Sequence, residues 1–240
     1  MAANKLRILY ANKLSAAVGG ASPSNLLNDY KSQTSSADSF TLTTTAVSGP
    51  VAVIAMLAED TTSVTMTVSG TSNVESTVSQ VTSTAPVGYG GGKYIAVYFN
   101  QAVSATSFTV SFSKVVKVAR FIVGNYWEPT YSAPFGMQVT YEDTTTNDRL
   151  QSGDLYSNLG PRHKVLSFEL EYLNDADKFK LFDIMKLIGK SKPIFVSLFP
   201  ESTDEDREQM YSIYGKFQSI PTISYAMYTK YTSSVQLEEI

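Results

Sequence analysis

Charge is spread so unevenly along this chain that its two halves cannot present the same kind of surface. Residues 1–110 carry five basic and five acidic side chains, whereas residues 111–240 carry fourteen and seventeen. The first half is rich in hydroxyls instead: 24 of the 54 residues from Ser32 to Ala85 are Ser or Thr. Disordered tracts and stalks of that composition carry a Pro or charge bias, which is missing here, and β-branched runs are interleaved throughout. Folded strands are therefore expected, and the break divides the chain into two modules, 1–113 and 114–240.

In the first module the runs Phe40–Thr45, Val51–Leu57, Thr62–Ser69, Val74–Thr82, Tyr94–Phe99 and Ser107–Phe112 lie between Gly, Pro, Asn or Asp residues at the spacing of a β-sandwich. Val64, Met66 and Val68 alternate with Thr65, Thr67 and Ser69, so one face of that strand points to a core and the other to water. Val51–Leu57 is apolar throughout, which fits a central strand covered on both faces. Leu26 and Leu27, in a polar setting, are expected to plug the end of this core, and Leu6–Tyr10 reads as a short strand. No helix pattern appears before residue 114.

The second module opens with a strand candidate, Lys114–Val123, and an aromatic hinge, Asn125–Tyr131, stiffened by Pro129. From Val165 to Leu173, Leu166, Phe168, Leu170 and Tyr172 alternate with Ser167, Glu169 and Glu171. A helix follows: Asn174 is a natural N-cap, Asp175 and Asp177 suit the first turn, and Gly189 supplies the stop. Phe179, Phe182, Met185 and Ile188 recur at helical spacing and are expected to lie on the sheet. Ile194–Phe199, Met210–Phe217 and Tyr225–Leu237 read as further strands, with Glu201–Glu208 as a loop or one helical turn. The expected fold class is mainly β: a jelly-roll-like sandwich followed by an α+β module with one principal helix on an antiparallel sheet.

Reactive chemistry finds little support. The sole histidine, His163, lies between Arg162 and Lys164 with no nucleophile at hand, which reads as a surface residue at a strand start. Gly-x-Ser-x-Gly is absent. Gly88–Lys93 invites a phosphate-loop reading, but the position of the first glycine holds Val87, Tyr94 follows Lys93 where Ser or Thr is required, and the next segment is strand-like; a hairpin tip fits better. Glu201, Asp204, Glu205, Asp206 and Glu208 lack the alternation and glycine of a calcium loop. Glu128, Glu142, Asp143, Asp148 and Asp154 offer carboxylate pairs whose separation in space would decide a hydrolase reading. No catalytic residue, metal ligand or cofactor is assigned.

With no cysteine there are no disulfides or thiolate metal sites. A net charge of −3 without a basic run argues against nucleic acid as a partner. The N-terminus lacks the apolar core of a signal peptide and no run reaches the length of a membrane span, so a protein folded in a cytoplasm is expected.

Aromatic residues carry the remaining signal, because they are enriched at protein interfaces and also form platforms for sugar rings. Tyr126, Trp127 and Tyr131 cluster at the hinge. Near the C-terminus, alternation puts Tyr225, Met227 and Tyr231 with Val235 and Leu237 toward the core, and Tyr228 on the opposite face.

In Ala119–Pro129, Ser152-Gly153-Asp154, Leu166–Leu170, Pro193–Pro200 and Val235–Ile240 the chain resembles distal-tail-like structural proteins of bacteriophage tails, found at the tail tip or baseplate. Its first module resembles a discoidin or galactose-binding sandwich, through Ser24–Asn28 and Val51–Leu57. Ser32–Ser36 stands where such sandwiches often have a Trp, so no sugar-binding residues are carried over. The resemblance implies a non-enzymatic virion protein, assembled in the host cytoplasm, that forms a three-fold or six-fold ring joining the tail tube to the tip and contacts other tail proteins. Trp127, Tyr131, Tyr228, Asp204, Glu205 and Asp206 are the expected subunit-contact residues. The alternative is a glycan-binding module used in attachment to a host surface.

Overall fold

The computed structural model describes residues 6–30, 32–58, 64–70, 75–79, 93–131, 136–202, 204–227 and 229–240. In chain order the strands are β1 (Arg7–Leu9), β2 (Leu14–Val18), β3 (Ser35–Leu57), β4 (Thr65–Gly70), β5 (Glu75–Ser79), β6 (Lys93–Trp127) and β7 (Gln138–Asp143). They continue with β8 (Thr146–Arg149), β9 (Leu155–Asn158), β10 (Arg162–Leu173), β11 (Ile194–Ser197), β12 (Ser212–Phe217), β13 (Ile223–Met227) and β14 (Lys230–Glu239). Two helices, α1 (Asp175–Ile188) and α2 (Glu205–Met210), lie in the second half. The protein is mainly β, with a large antiparallel sheet in the order β2-β3-β6-β1-β11-β12-β14-β10-β7 and one principal helix, as the sequence leads one to expect.

Val51–Leu57 explains how the two halves hold together. This stretch of β3 pairs on one side with residues 93–99 of β6 and on the other with residues 118–125 of the same strand, so it is central and buried throughout. Val51, Val53, Ala55 and Leu57 face the core of the first half, with Phe40, Phe108 and Phe121. Ala52, Ile54 and Met56 face a second apolar layer containing Leu9, Tyr94, Ile122, Tyr126, Phe195 and Tyr214. An unbroken apolar run is what a strand needs when both of its faces are covered.

The start of the chain stitches this assembly. β1 pairs with the end of β6 (Ile8 with Trp127, Leu9 with Tyr126) and with β11 (Arg7 with Ser197, Leu9 with Phe195). The expected module boundary at residues 113 and 114 falls inside β6. Gly124 permits the close approach here, because a Cβ on it would lie 2.0 Å from the Ala11 carbonyl oxygen. Leu26 plugs the first core as expected, while Leu27 is exposed.

α1 packs against β10 and β14. The Asn174 side chain accepts from Asp177 N–H at 2.8 Å, and Gly189, with φ of 55°, closes the helix by donating to Met185 O. Its buried residues are Asp177, Leu181, Ile184 and Ile188, with Met185 partly buried against the same core, so Met185 and Ile188 lie inward as expected while Phe179 and Phe182 do not. At about 100° per residue, Phe179 lies nearly opposite Leu181, and both Phe179 and Phe182 point to solvent. Spacing alone offered two apolar stripes, and packing selected the aliphatic one.

Two further expectations are corrected. Tyr225–Leu237 is two strands, not one: Met227 pairs with Lys230, and Thr229 has a left-handed backbone. Tyr225 and Tyr231 pair directly and so share a face, as expected, but Tyr225 on the outer strand β13 is exposed while Tyr231 is partly buried against the second core. In β10 a register shift between Leu170 and Leu173 turns Tyr172 out of the apolar face.

β7 and β10 run on past the sheet as a two-stranded arm. Arg162 pairs with Asp143 at the sheet's end, Thr144 N–H donates to Pro161 O at 3.3 Å, and β8 and β9 then pair only with each other.

Candidate functional site

Exposed aromatic residues gather into one face on the second half. Tyr131 meets Tyr172 edge-on with ring centroids 6.5 Å apart, and the Lys230 ammonium lies 5.1 Å from the centre of the Tyr131 ring. The next residue, Tyr231, meets Tyr225 at 5.3 Å, and the Lys178 ammonium sits 4.1 Å from the Tyr231 ring and 4.5 Å from that of Phe179. Phe182 continues the face along α1. Tyr225 and Phe179 are each 62% exposed and Phe182 57%. Scattered exposed apolar residues need no explanation, but a contiguous cluster on one side of a module does.

Local structure holds this face in place. Thr130 N–H donates to Asp177 Oδ2 at 3.2 Å, and Asn174 Nδ2 donates to Thr130 Oγ1 at 3.0 Å, so the start of α1 fixes the segment bearing Tyr131. Tyr172 has φ of 58°. The left-handed region is costly for a bulky side chain, and such strain persists where the surroundings over-determine it. Lys178 is anchored to Asp175 at 2.8 Å, a hydrogen bond that holds its pKa above the usual lysine value.

A second feature is a cleft of about 750 Å³ where the two halves meet, lined by Arg7, Tyr10, Ser48, Asn125, Trp127, Glu128 and Lys180 among others. Asn125 Nδ2 donates to Ser48 O at 2.7 Å and Pro50 O at 3.2 Å, and Lys180 Nζ donates to Tyr10 Oη at 3.0 Å. Arg7 spans the cleft floor, donating from Nε to Glu128 at 3.2 Å and from Nη1 to Glu201 at 2.8 Å, with its guanidinium 4.5 Å from the Tyr98 ring centre. Glu201 N–H in turn donates to Glu208 at 3.3 Å. Burial raises the Glu208 carboxyl to about 7.

The expected contact residues fall into separate places. Trp127 is 8% exposed, packed in the second core and lining the cleft. Tyr131 is on the aromatic face. Asp204 caps α2, its Oδ1 accepting from Arg207 N–H at 3.2 Å, and Asp206 is exposed on that helix. Glu205 is the first residue of α2, while its side chain and the whole of Tyr228 lie outside the described residues. The structure thus joins Tyr131 to Tyr172, Phe179, Phe182 and Tyr225, which sequence reasoning placed in the core.

The candidates for chemistry resolve into structural roles. His163 lies 3.3 Å from both Glu142 and Glu238 on the neighbouring strands, because strand alternation turns it away from Arg162 and Lys164. Asp143 accepts from Thr145 and from Arg162, the latter at 2.7 Å, and these bonds hold its pKa down at about 2. Asp148 and Asp154 lie on the arm, and Glu128 lines the cleft and accepts from Arg7. Gly88–Gly92 lies outside the described residues, and Lys93 is the buried first residue of β6. Among the described residues, no group of three or more His, Asp or Glu side chains is placed to hold a metal ion, and no helix is long and apolar enough to cross a membrane.

No protein-family model and no curated protein sequence matches this chain. Among solved structures, it is similar to a family 32 carbohydrate-binding module from a family 31 glycoside hydrolase of Clostridium perfringens, at 12% identity over 48% of this chain and 99% of that one, with a TM-score of 0.35. The family 32 carbohydrate-binding module of Streptococcus pneumoniae EndoD is 9% identical over 48% of this chain and 99% of its own, with a TM-score of 0.34. Discoidin II from Dictyostelium discoideum is 11% identical over 84% of this chain and 76% of its own, with a TM-score of 0.23. At such TM-scores no ligand or partner is assigned from these likenesses.

Proposed function

We propose that this chain is a non-enzymatic assembly protein whose copies join into a closed ring, the role of the distal-tail-like bacteriophage proteins that its sequence resembles. On this reading it works in a virion tail, assembled in the host cytoplasm, and links the tail tube to the tip or baseplate. The observation that carries the reading is the aromatic face of Tyr131, Tyr172, Phe179, Phe182 and Tyr225, whose apolar surface no described residue covers. A ring buries such a patch in every copy and needs no reactive group.

Light scattering of the purified chain across a concentration series tests this, and a discrete three-fold or six-fold species is the expected result. Replacing Phe179 and Phe182 together by Ser should abolish that species while leaving the monomer folded. An unchanged oligomer in the double variant would remove the aromatic face from the argument.

A second reading, glycan binding, is favoured by the cleft. Arg7 and Lys180 are offset by Glu128 and Glu201, so the walls offer donors and acceptors with little net charge, beside Tyr10 and Trp127. That chemistry suits a neutral hydroxyl-rich molecule. Trp127 is the sole tryptophan, so its fluorescence reports occupancy directly. Saturable quenching by neutral hexoses, and not by phosphate, supports this second reading; a flat titration with every sugar removes it.

A further inference from the structure

The β8–β9 arm and the outward stripe of α1 are two surfaces with apolar side chains that the described residues leave bare. Leu150, Leu155, Tyr156 and Leu159 on the arm and its base are 53%, 61%, 57% and 74% exposed. An isolated two-stranded ribbon is marginal in water, and independent stability takes a third strand or packing against a helix. From Asp143 to Leu150 the arm projects roughly 20 Å at about 3.3 Å per residue, so its tip lies well beyond the sheet edge.

The two faces of the arm differ. Asp148 pairs with Tyr156, and strand alternation puts Leu150 on their side; Arg149 and Leu155 occupy the other. The outward stripe of α1 runs Phe179, Phe182, Asp183 and Lys186, with Lys190 just past the helix end, so two cations and one carboxylate flank the rings. Neither Asp148 nor Lys186 forms an ion pair among the described residues, and both are exposed. One surface is therefore apolar with the Asp148 carboxylate beside it, and the other is apolar and net positive, with Lys186 and Lys190 outnumbering Asp183.

We propose that the arm of one copy lies along α1 of the next, with Leu150 and Tyr156 against Phe179 and Phe182 and Asp148 paired with Lys186. The occupant of the aromatic stripe is thus a second copy of this chain. The contact is head-to-tail, because arm and helix are different surfaces, and repetition of a head-to-tail contact closes a ring when the rotation allows. This inference rests on the ring reading and names its interface.

The chain has no cysteine, so engineered thiols report contacts without background. Two full-length variants, Tyr156→Cys and Phe182→Cys, are made separately, checked for native circular dichroism, mixed and oxidised. The mixture should yield a disulfide-linked dimer containing one copy of each, and neither variant alone should cross-link. A charge exchange gives a second readout: Asp148→Lys and Lys186→Asp should each raise the concentration for half-assembly by about tenfold, and the double exchange should restore it. An oligomer that forms without the mixed cross-link, or in which Phe182→Cys links to itself, overturns the arm-on-helix contact and leaves the ring reading standing. A chain that stays monomeric at every concentration overturns both.

Discussion

The core of the first half is closed on itself, whereas the second half turns apolar side chains outward. Around Phe40, Phe112 and Phe121 the rings meet one another at 5.1 to 6.4 Å, and the hydroxyls of alternate positions face water. Across α1 the pattern is two-sided: Leu181, Ile184 and Ile188 enter the core while Phe179, Phe182 and Leu187 face solvent. A region with an enclosed core hides its largest side chains, as this one does with Phe40, Phe99, Phe108 and Phe121. One that keeps two apolar stripes on a single helix has a second surface to satisfy, and the low charge of residues 1–110 beside the aromatic exposure of residues 131–225 expresses that difference in sequence.

The largest expected effect tests the closed region. Phe121 sits 5.1 Å from Phe40 and 6.4 Å from Phe112 and is fully buried, so Phe121→Ala should cost about 3–5 kcal/mol in a urea melt. A loss under about 1 kcal/mol would mean that this core is loosely packed, and the contrast between the halves would dissolve.

The joint between the halves should respond to pH. Burial puts the Glu208 carboxyl at about 7 in the folded chain, against an ordinary value of 4.5. The folded state therefore holds this proton more tightly than the unfolded state does, and stability should fall as pH rises from about 4.5 to about 7, then level off. Glu208→Gln should flatten that slope. Urea midpoints at about pH 5 and about pH 8, compared between the two proteins, decide the matter; an identical slope in Glu208→Gln places the titration elsewhere.

Much of the closed region was legible in the sequence because its signal is local. The unbroken run Val51–Leu57 announced a strand covered on both faces, and the alternation of Val64, Met66 and Val68 is the burial observed. The capping residues Asn174 and Gly189 located α1. What stayed hidden depends on contacts far apart in the chain. Nothing in Arg7–Leu9 names its partners Phe195–Ser197 and Tyr126–Trp127, and so the stitching of the halves could not be foreseen. The open face was misread for a related reason: Phe179, Phe182 and Tyr225 look like core residues to any rule that puts aromatics inside. Tyr172 was hidden by a bulge that alternation cannot anticipate, and the arm around Asp148 and Asp154 gave no periodic signal because its strands are only four residues long.

For the open region, replacing Phe179 and Phe182 by Ser should leave the monomer within about 0.5 kcal/mol of the parent, since exposed side chains contribute little to folding. A loss of several kcal/mol would show that the stripe already serves the fold of a single copy, and the comparison of closed and open halves would lose its second term.

The smallest effect is the most discriminating. Tyr172 holds φ of 58° with half of its surface exposed, a backbone position that asparagine tolerates far better than tyrosine. If the ring contributed only to the fold, its edge contact with Tyr131 would offset the strain, and Tyr172→Asn would be neutral or destabilising. If the ring is held outward for a neighbour, the same change should stabilise the monomer by up to about 1 kcal/mol, through relief of the left-handed strain, and weaken the oligomer. Melting temperature and scattering mass on one preparation separate these cases. A variant that gains stability while losing assembly would show that the strain at Tyr172 is kept for the surface it presents.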